Sequence, residues 1–160
     1  MEAIATRKSV DEGKFLTFVL NHEEYGIEIL KVREIIGVIG ITPVPQTPDY
    51  LKGVINLRGK VIPVIDLRLK FSMTEEEHKQ ETCIIVVEVN NAPIGVVVDN
   101  VSEVLDIKSE EVEDTPQFGR DIDTSFIMGL GKAKEKIIIL LDIDKVLSTE
   151  ELEMVELLAQ

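Results

Sequence analysis

Gly53-Val-Ile-Asn-Leu-Arg-Gly-Lys-Val-Ile-Pro-Val-Ile-Asp-Leu-Arg-Leu69 reads as a β-hairpin. Two apolar, β-branched runs, Val54 to Leu57 and Val61 to Ile65, flank Arg58-Gly59-Lys60, a short connection whose glycine accepts a positive φ. The frame occurs twice. Gly129-Leu130 and Lys136-Ile-Ile-Ile-Leu-Leu-Asp142 repeat Gly53-Val54 and the run from Lys60 to Asp66 at a constant offset of 76 residues. Upstream, Ile84, Gly95, Val101, Glu103 and Val104 repeat Phe15, Gly26, Val32, Glu34 and Ile35 at an offset of 69. The chain is therefore a duplication. The change of offset puts seven extra residues in the second copy, within the acidic, turn-rich stretch Ser109 to Thr124.

Each copy reads as five short strands, with no helix long enough for a parallel crossover. In the first copy, Phe15 to Leu20 is a strand, Asn21-His-Glu-Glu24 its turn and Tyr25 to Leu30 its antiparallel partner. A third strand starts at Val32. Thr42-Pro-Val-Pro45 is extended, because each proline pushes its predecessor out of the α region. Pro48-Asp49-Tyr50 suits one helical turn capped by Thr47. Pro63, which has no amide to donate, places its strand at an edge or a bulge. Five antiparallel strands of this size close into a small barrel and so remove their edges. The expectation is an all-β protein of two five-stranded β-barrels. Residues 1–14 form a flexible N-terminus, 15–71 with parts of 142–160 the first barrel, and 83–141 the second. Ser148-Thr-Glu-Glu151 is a capping box that starts a short C-terminal helix. Leu152, Val155 and Leu158 share one face of it and dock on the protein itself.

The runs Cys83 to Val87, Val96 to Val98 and Ile137 to Leu141 are apolar at consecutive positions, whereas a strand with one wet face alternates. Both faces of these strands are therefore covered, one by their own barrel and the other by the first copy across a rough two-fold. Such a seam leaves room for a partner groove.

Thirty acidic residues against 17 basic ones give a net charge of −13. That disfavours nucleic acid and anionic lipid as partners. No apolar run approaches the roughly 20 residues of a membrane span, and the N-terminus lacks the apolar core of a secretion signal. A single cysteine, Cys83, allows no internal disulfide and fits a reducing cytoplasm.

Reactive constellations are hard to find. Asp66 and Asp142 are related by the repeat, but a carboxylate dyad needs a small hydroxyl residue and a glycine after each aspartate. The residues that follow are Leu67-Arg68 and Ile143-Asp144, so these aspartates read as strand ends bonded to nearby backbone. His22 and His78 have no cysteine or histidine at ligand spacing, which leaves no metal site. Gly129-Leu-Gly131-Lys132 lacks the rest of a phosphate loop. Ser102, Ser109 and Ser125 have no base to activate them. The residues call for neither an enzyme nor a cofactor. Two charges stand out instead: Glu34 among Val32, Ile35 and Ile36, and Arg58 between Leu57 and Gly59. An arginine there can fork to a carboxylate. The Glu34–Arg58 salt bridge is read either as a tie between hairpin and third strand or as part of a recognition surface as well, and the two readings are compatible.

The stretches Glu24 to Ile36, Lys52 to Gly59, Pro63 to Arg68, Ile94 to Leu105 and Gly129-Leu-Gly131 resemble the chemotaxis coupling proteins of the CheW family, in the expected order over about 15–147. The Asn-Leu-Arg-Gly hairpin is the most specific of them. The resemblance implies that the barrels are SH3-like and that the protein is a non-catalytic adaptor of chemotaxis signal transduction. Such an adaptor couples transmembrane chemoreceptors to the histidine kinase CheA in a cytoplasmic array beneath the inner membrane. It further implies that the helical tip of the receptor lies in an apolar groove around Ile29, Val32, Glu34, Val98, Val101 and Val104. The regulatory domain of the kinase is expected at the loop Asn56, Leu57, Arg58, Gly59 and Lys60. A related fold serving another array, in gene regulation or twitching motility, would read the same from this chain.

Overall fold

Four two-residue turns set the course of the backbone, and each puts two successive residues in the left-handed region. They are Asn21-His22 (φ 52° and 71°), Arg58-Gly59 (52° and 86°), Asn90-Asn91 (55° and 66°) and Lys134-Glu135 (51° and 60°). Turns of this hand match the twist of the strands they join. The sequence-based loop of three residues at 58–60 is thus a turn of two, and Lys60 already belongs to a strand.

The computed structural model describes residues 13–115 and 124–158. The expectation for the N-terminus, and the middle of the acidic insertion, fall largely outside these residues. The first repeat contains β1 (Lys14–Leu20), β2 (Glu23–Glu28), β3 (Val32–Gly37), β4 (Leu51–Leu57) and β5 (Lys60–Asp66). The second contains β6 (Cys83–Val89), β7 (Ala92–Val98), β8 (Asn100–Asp106), the short β9 (Val112–Glu113) within the insertion, β10 (Ile127–Ala133) and β11 (Lys136–Leu141). Two helices follow the last hairpins of the repeats: α1 (Leu67–Lys70) and α2 (Thr149–Leu157). The offsets read from the sequence map β1 onto β6 and β4 onto β10 end to end.

The protein is mostly β with a short C-terminal helix, but hydrogen bonding does not follow the repeats. One sheet has the order β8-β1-β2-β11-β10-β9, the other β3-β6-β7-β5-β4. Each copy thus sends its third strand to its sibling: β3 pairs with β6, and β8 with β1. The last hairpin is also exchanged, with β5 parallel to β7 and β11 parallel to β2. Neither ladder closes on itself among the described residues, so the structure presents two open sheets. The edge of β4 is covered by Thr42, which exchanges backbone bonds of 2.8 and 2.9 Å with Val54.

Three apolar clusters fill this frame. The largest lies between the sheets and takes Leu16, Phe18 and Ile27 from one, and Ile85, Val87, Val96 and Val98 from the other. A second gathers Ile55, Ile62, Val64, Ile84, Val86 and Val97. A third gathers Phe15, Leu105, Ile107, Ile138 and Leu140. The continuous apolar runs are explained residue by residue: along β6, Ile84 and Val86 enter the second cluster while Ile85 and Val87 enter the central one. Side chains alternate between faces, and both faces are buried. A stack of Phe18, Tyr25, Phe71 and Phe126 crosses the central cluster with ring centroids 4.9–6.1 Å apart and joins the two repeats.

Two local expectations are corrected. Pro63 lies in β5, an interior strand between β7 and β4, and no register shift occurs at it. The ladder to β7 starts only at Val64, so that ladder does without its missing amide. Pro48 to Tyr50 forms a turn closed by Leu51 N–H to Pro48 O (3.1 Å), and Thr47 donates to Val44 O instead of capping a helix. At the C-terminus, Ser148 and Glu151 do form the capping box. Val155 is fully buried, and Leu152 and Leu158 pack beside it on the central cluster.

Candidate partner-binding surfaces

The exchanged strands β3 and β8 are outer strands, and each carries one register shift, between Val32 and Glu34 against β6 and between Val101 and Val104 against β1. A bulge of this kind re-aims the side chains that follow it. Before the shift, Val32 and Val101 lean on the central cluster, and so does Ile29 from the 3-10 turn Ile29–Lys31. Beyond it, Ile36 packs on the second cluster and Leu105 enters the third. Thr17 occupies the β8 bulge from β1: its hydroxyl donates to Glu103 O (2.9 Å) and accepts from Glu103 N–H (3.2 Å).

The residues expected to meet the receptor do not all lie at the surface. Ile29, Val32 and Val101 are half-buried along the seam, and Val104 is 51% exposed. Leu30 (70%) and Ile35 (44%), which the sequence reading did not single out, are apolar and open beside them. Val98 corrects the expectation: it is fully buried in the central cluster, so it shapes the seam from beneath and offers no contact. Glu34 belongs elsewhere, beside the β4–β5 turn.

That turn brings the second set together. Arg58 donates through Nη2 to Glu34 Oε2, and the Asn56 side chain accepts from Gly59 N–H (2.9 Å) to brace the turn. Asn56, Arg58, Gly59 and Lys60 are exposed, while Leu57 is half-buried against the second cluster. A shallow pocket lies here, lined by Arg33, Glu34, Leu57, Arg58, Lys60 and Pro93. The repeat supplies a counterpart that the sequence reading missed. Lys134, 76 residues after Arg58, donates to Glu103 (2.8 Å), 69 residues after Glu34. The two offsets were in hand; only the lysine at the turn went unnoticed.

A second pair of charges was missed as well. Arg68, 7% exposed, forks onto Asp99 through Nε (2.7 Å) and Nη2 (2.6 Å) and donates through Nη1 to Thr74 O (3.1 Å). Asp99 also accepts from Asn21 N–H (2.9 Å). Burial pushes the Asp99 carboxyl up, but the guanidinium and the amide outweigh it and hold the group below the usual carboxylate range. An arginine closing an otherwise apolar strand was the available signal.

Asp66 and Asp142 are occupied with backbone. Asp66 accepts from the amides of Arg68 (2.9 Å) and Leu69 (3.4 Å) and starts α1, and Asp142 accepts from Asp144 N–H (3.1 Å). Burial pushes Asp66 up despite those bonds. No group of three or more potential metal ligands occurs among the described residues.

An apolar seam between two sheets, edged by outward-facing aliphatics and a charged turn, is what a protein-interaction module presents. The model of the family described as CheW-like domain matches residues 14–151, and the chain belongs to that family. It is 44% identical over 147 residues to the chemotaxis protein CheW of Klebsiella aerogenes, across 92% of this chain and 89% of that one. Its identity to the chemotaxis protein CheW of Helicobacter pylori is 36% over 152 residues, covering 93% and 92%. Among solved structures, the scaffolding protein TtCheW of Thermoanaerobacter tengcongensis superposes with a TM-score of 0.79 at 36% identity, covering 87% of this chain and 94% of that one. No helix among the described residues is long and apolar enough to cross a membrane.

Proposed function

We propose that this protein is a non-catalytic, cytoplasmic adaptor of chemotaxis that couples transmembrane chemoreceptors to the regulatory domain of the histidine kinase CheA at receptor arrays. The near full-length similarity to CheW proteins carries the reading. The receptor's helical tip lies along the seam against Ile29, Val32, Val101 and Val104, with Leu30 and Ile35 as further anchors. Helix-in-groove docking needs aliphatic anchors with a polar rim and no reactive group. The kinase meets the turn of Asn56, Leu57, Arg58, Gly59 and Lys60, where Glu34 orients the guanidinium. Each sheet, with its own apolar cluster, is taken to be one SH3-like barrel. Individual contacts are modest, and an array multiplies them through avidity.

The test is a pull-down of the protein with a receptor cytoplasmic tip and, separately, with the kinase regulatory domain. Both are retained, and Arg58→Glu loses the kinase domain while keeping the tip. Retention of neither overturns the assignment.

A further inference from the structure

The chain crosses from one sheet to the other at two equivalent points, and an ion pair pins each. In the first repeat, β2 ends at Glu28 and β3 begins at Val32, with the 3-10 turn between. In the second, β7 ends at Val98 and β8 begins at Asn100, so Asp99 alone makes the crossing. The pinning charge comes in both cases from the second residue after the aspartate that ends the last hairpin. Arg68 follows Asp66 and holds Asp99; Asp144 follows Asp142 and accepts from Lys31 (2.7 Å). The polarity is reversed and so is the strength. The Lys31–Asp144 side chains are 33% and 43% exposed and make one bond, whereas the Arg68 side chain is 8% exposed and makes a two-bond fork. An exposed single-bond pair is weak and screened by salt, while a buried fork fixes geometry.

The fork also gathers the surroundings of the crossing. Asp99 N–H donates to Val19 O (3.1 Å), Asn21 donates to Asp99, and Thr74 and Glu76 of the linker between repeats reach Arg68. Val101 and Val104 follow within five residues of Asp99, on β8.

We propose that Arg68 is a positioning residue for receptor docking: by gripping Asp99 it fixes where β8 leaves one sheet for the other, and so holds Val101 and Val104 against the seam. The inference rests on the receptor-docking reading above. Arg68 touches no partner. Its effect reaches the receptor surface through Asp99 and leaves the kinase-binding turn, at the opposite end of β5, in place.

Arg68→Lys keeps the charge and loses the fork; Asp99→Asn keeps the shape and loses the charge. Two measurements on each variant decide the matter. Amide hydrogen exchange is followed in β8 and, as reference, in β4 and β5. Affinities are then measured for a receptor cytoplasmic tip and for the kinase regulatory domain. Exchange of the β8 amides bonded to β1 rises while β4 and β5 stay unchanged. Tip affinity falls about tenfold, and kinase affinity stays within about twofold. Unchanged exchange in β8, a uniform rise across both sheets, or equal loss of both affinities overturns the proposal, as does faster β8 exchange with undiminished tip affinity. If the unaltered protein binds no tip, the functional reading fails, while the exchange measurement still decides whether Arg68 positions β8.

Discussion

Arg58 and Glu34 offer the sharpest test at the scale of single residues. Arg58 is open to solvent at its tip, so its pair with Glu34 matters for what the turn displays, and folding depends little on it. Glu34→Lys and Arg58→Glu are each expected to weaken kinase-domain binding without lowering the melting temperature. The swapped double variant should recover part of the loss in calorimetric titrations; no recovery contradicts the pairing as a recognition element. Val98 and Val104 form the complementary contrast. Truncating the fully buried Val98 to Ala removes two methyl groups from the central cluster and should cost about 2 kcal/mol in denaturant unfolding. The same change at the half-open Val104 should stay within about 0.5 kcal/mol and lower tip affinity instead. Val98 was misread from sequence because β7 buries both of its faces. Along such a strand an aliphatic residue carries no mark of whether it ends up beneath a surface or in it.

Elements were legible where the signal was local. The strand pairs, their order and the C-terminal capping box follow from periodicity and from short-range side-chain bonds. Ser148→Ala should therefore cost about 1 kcal/mol, read by thermal unfolding, because the N3 amide of α2 loses its acceptor. Glu151 ties the same helix to Lys70 (2.8 and 2.9 Å). Burial raises its carboxyl, but Lys70 and the Ser148 amide outweigh it and hold the group below its ordinary value. A depressed carboxylate stabilises the fold fully above its unfolded pKa, about 4.3, and the contribution is lost as pH falls through the folded value. Glu151→Gln should accordingly flatten the acid limb of stability between about pH 5 and 3; an unchanged limb contradicts the assignment. The sheet exchange was not legible. Nothing in β3 or β8 tells which of two similar β1-like strands it will pair with, since β1 and β6 present the same alternation. That choice is made by the crossings at Ile29–Lys31 and Asp99, and it depends on contacts far apart in sequence.

At the scale of the whole molecule, duplication explains why a chain without a visible reaction site is built so regularly. Strand exchange makes each sheet depend on both repeats, so the two outer strands that flank the seam, β3 and β8, come from opposite halves of the chain. The same symmetry places an ion pair at each hairpin turn and each crossing, and sequence has diversified their strengths. An adaptor needs two faces that work at once: a seam for one partner and a turn for another. The most direct measurement is a bridging assay, in which the kinase regulatory domain is passed over immobilised receptor tip with and without this protein. The account predicts that the kinase domain is retained beyond its own background only when the protein is present, and that Arg58→Glu abolishes this gain. Displacement of the protein from the tip by the kinase domain, or no gain in retention, would contradict it.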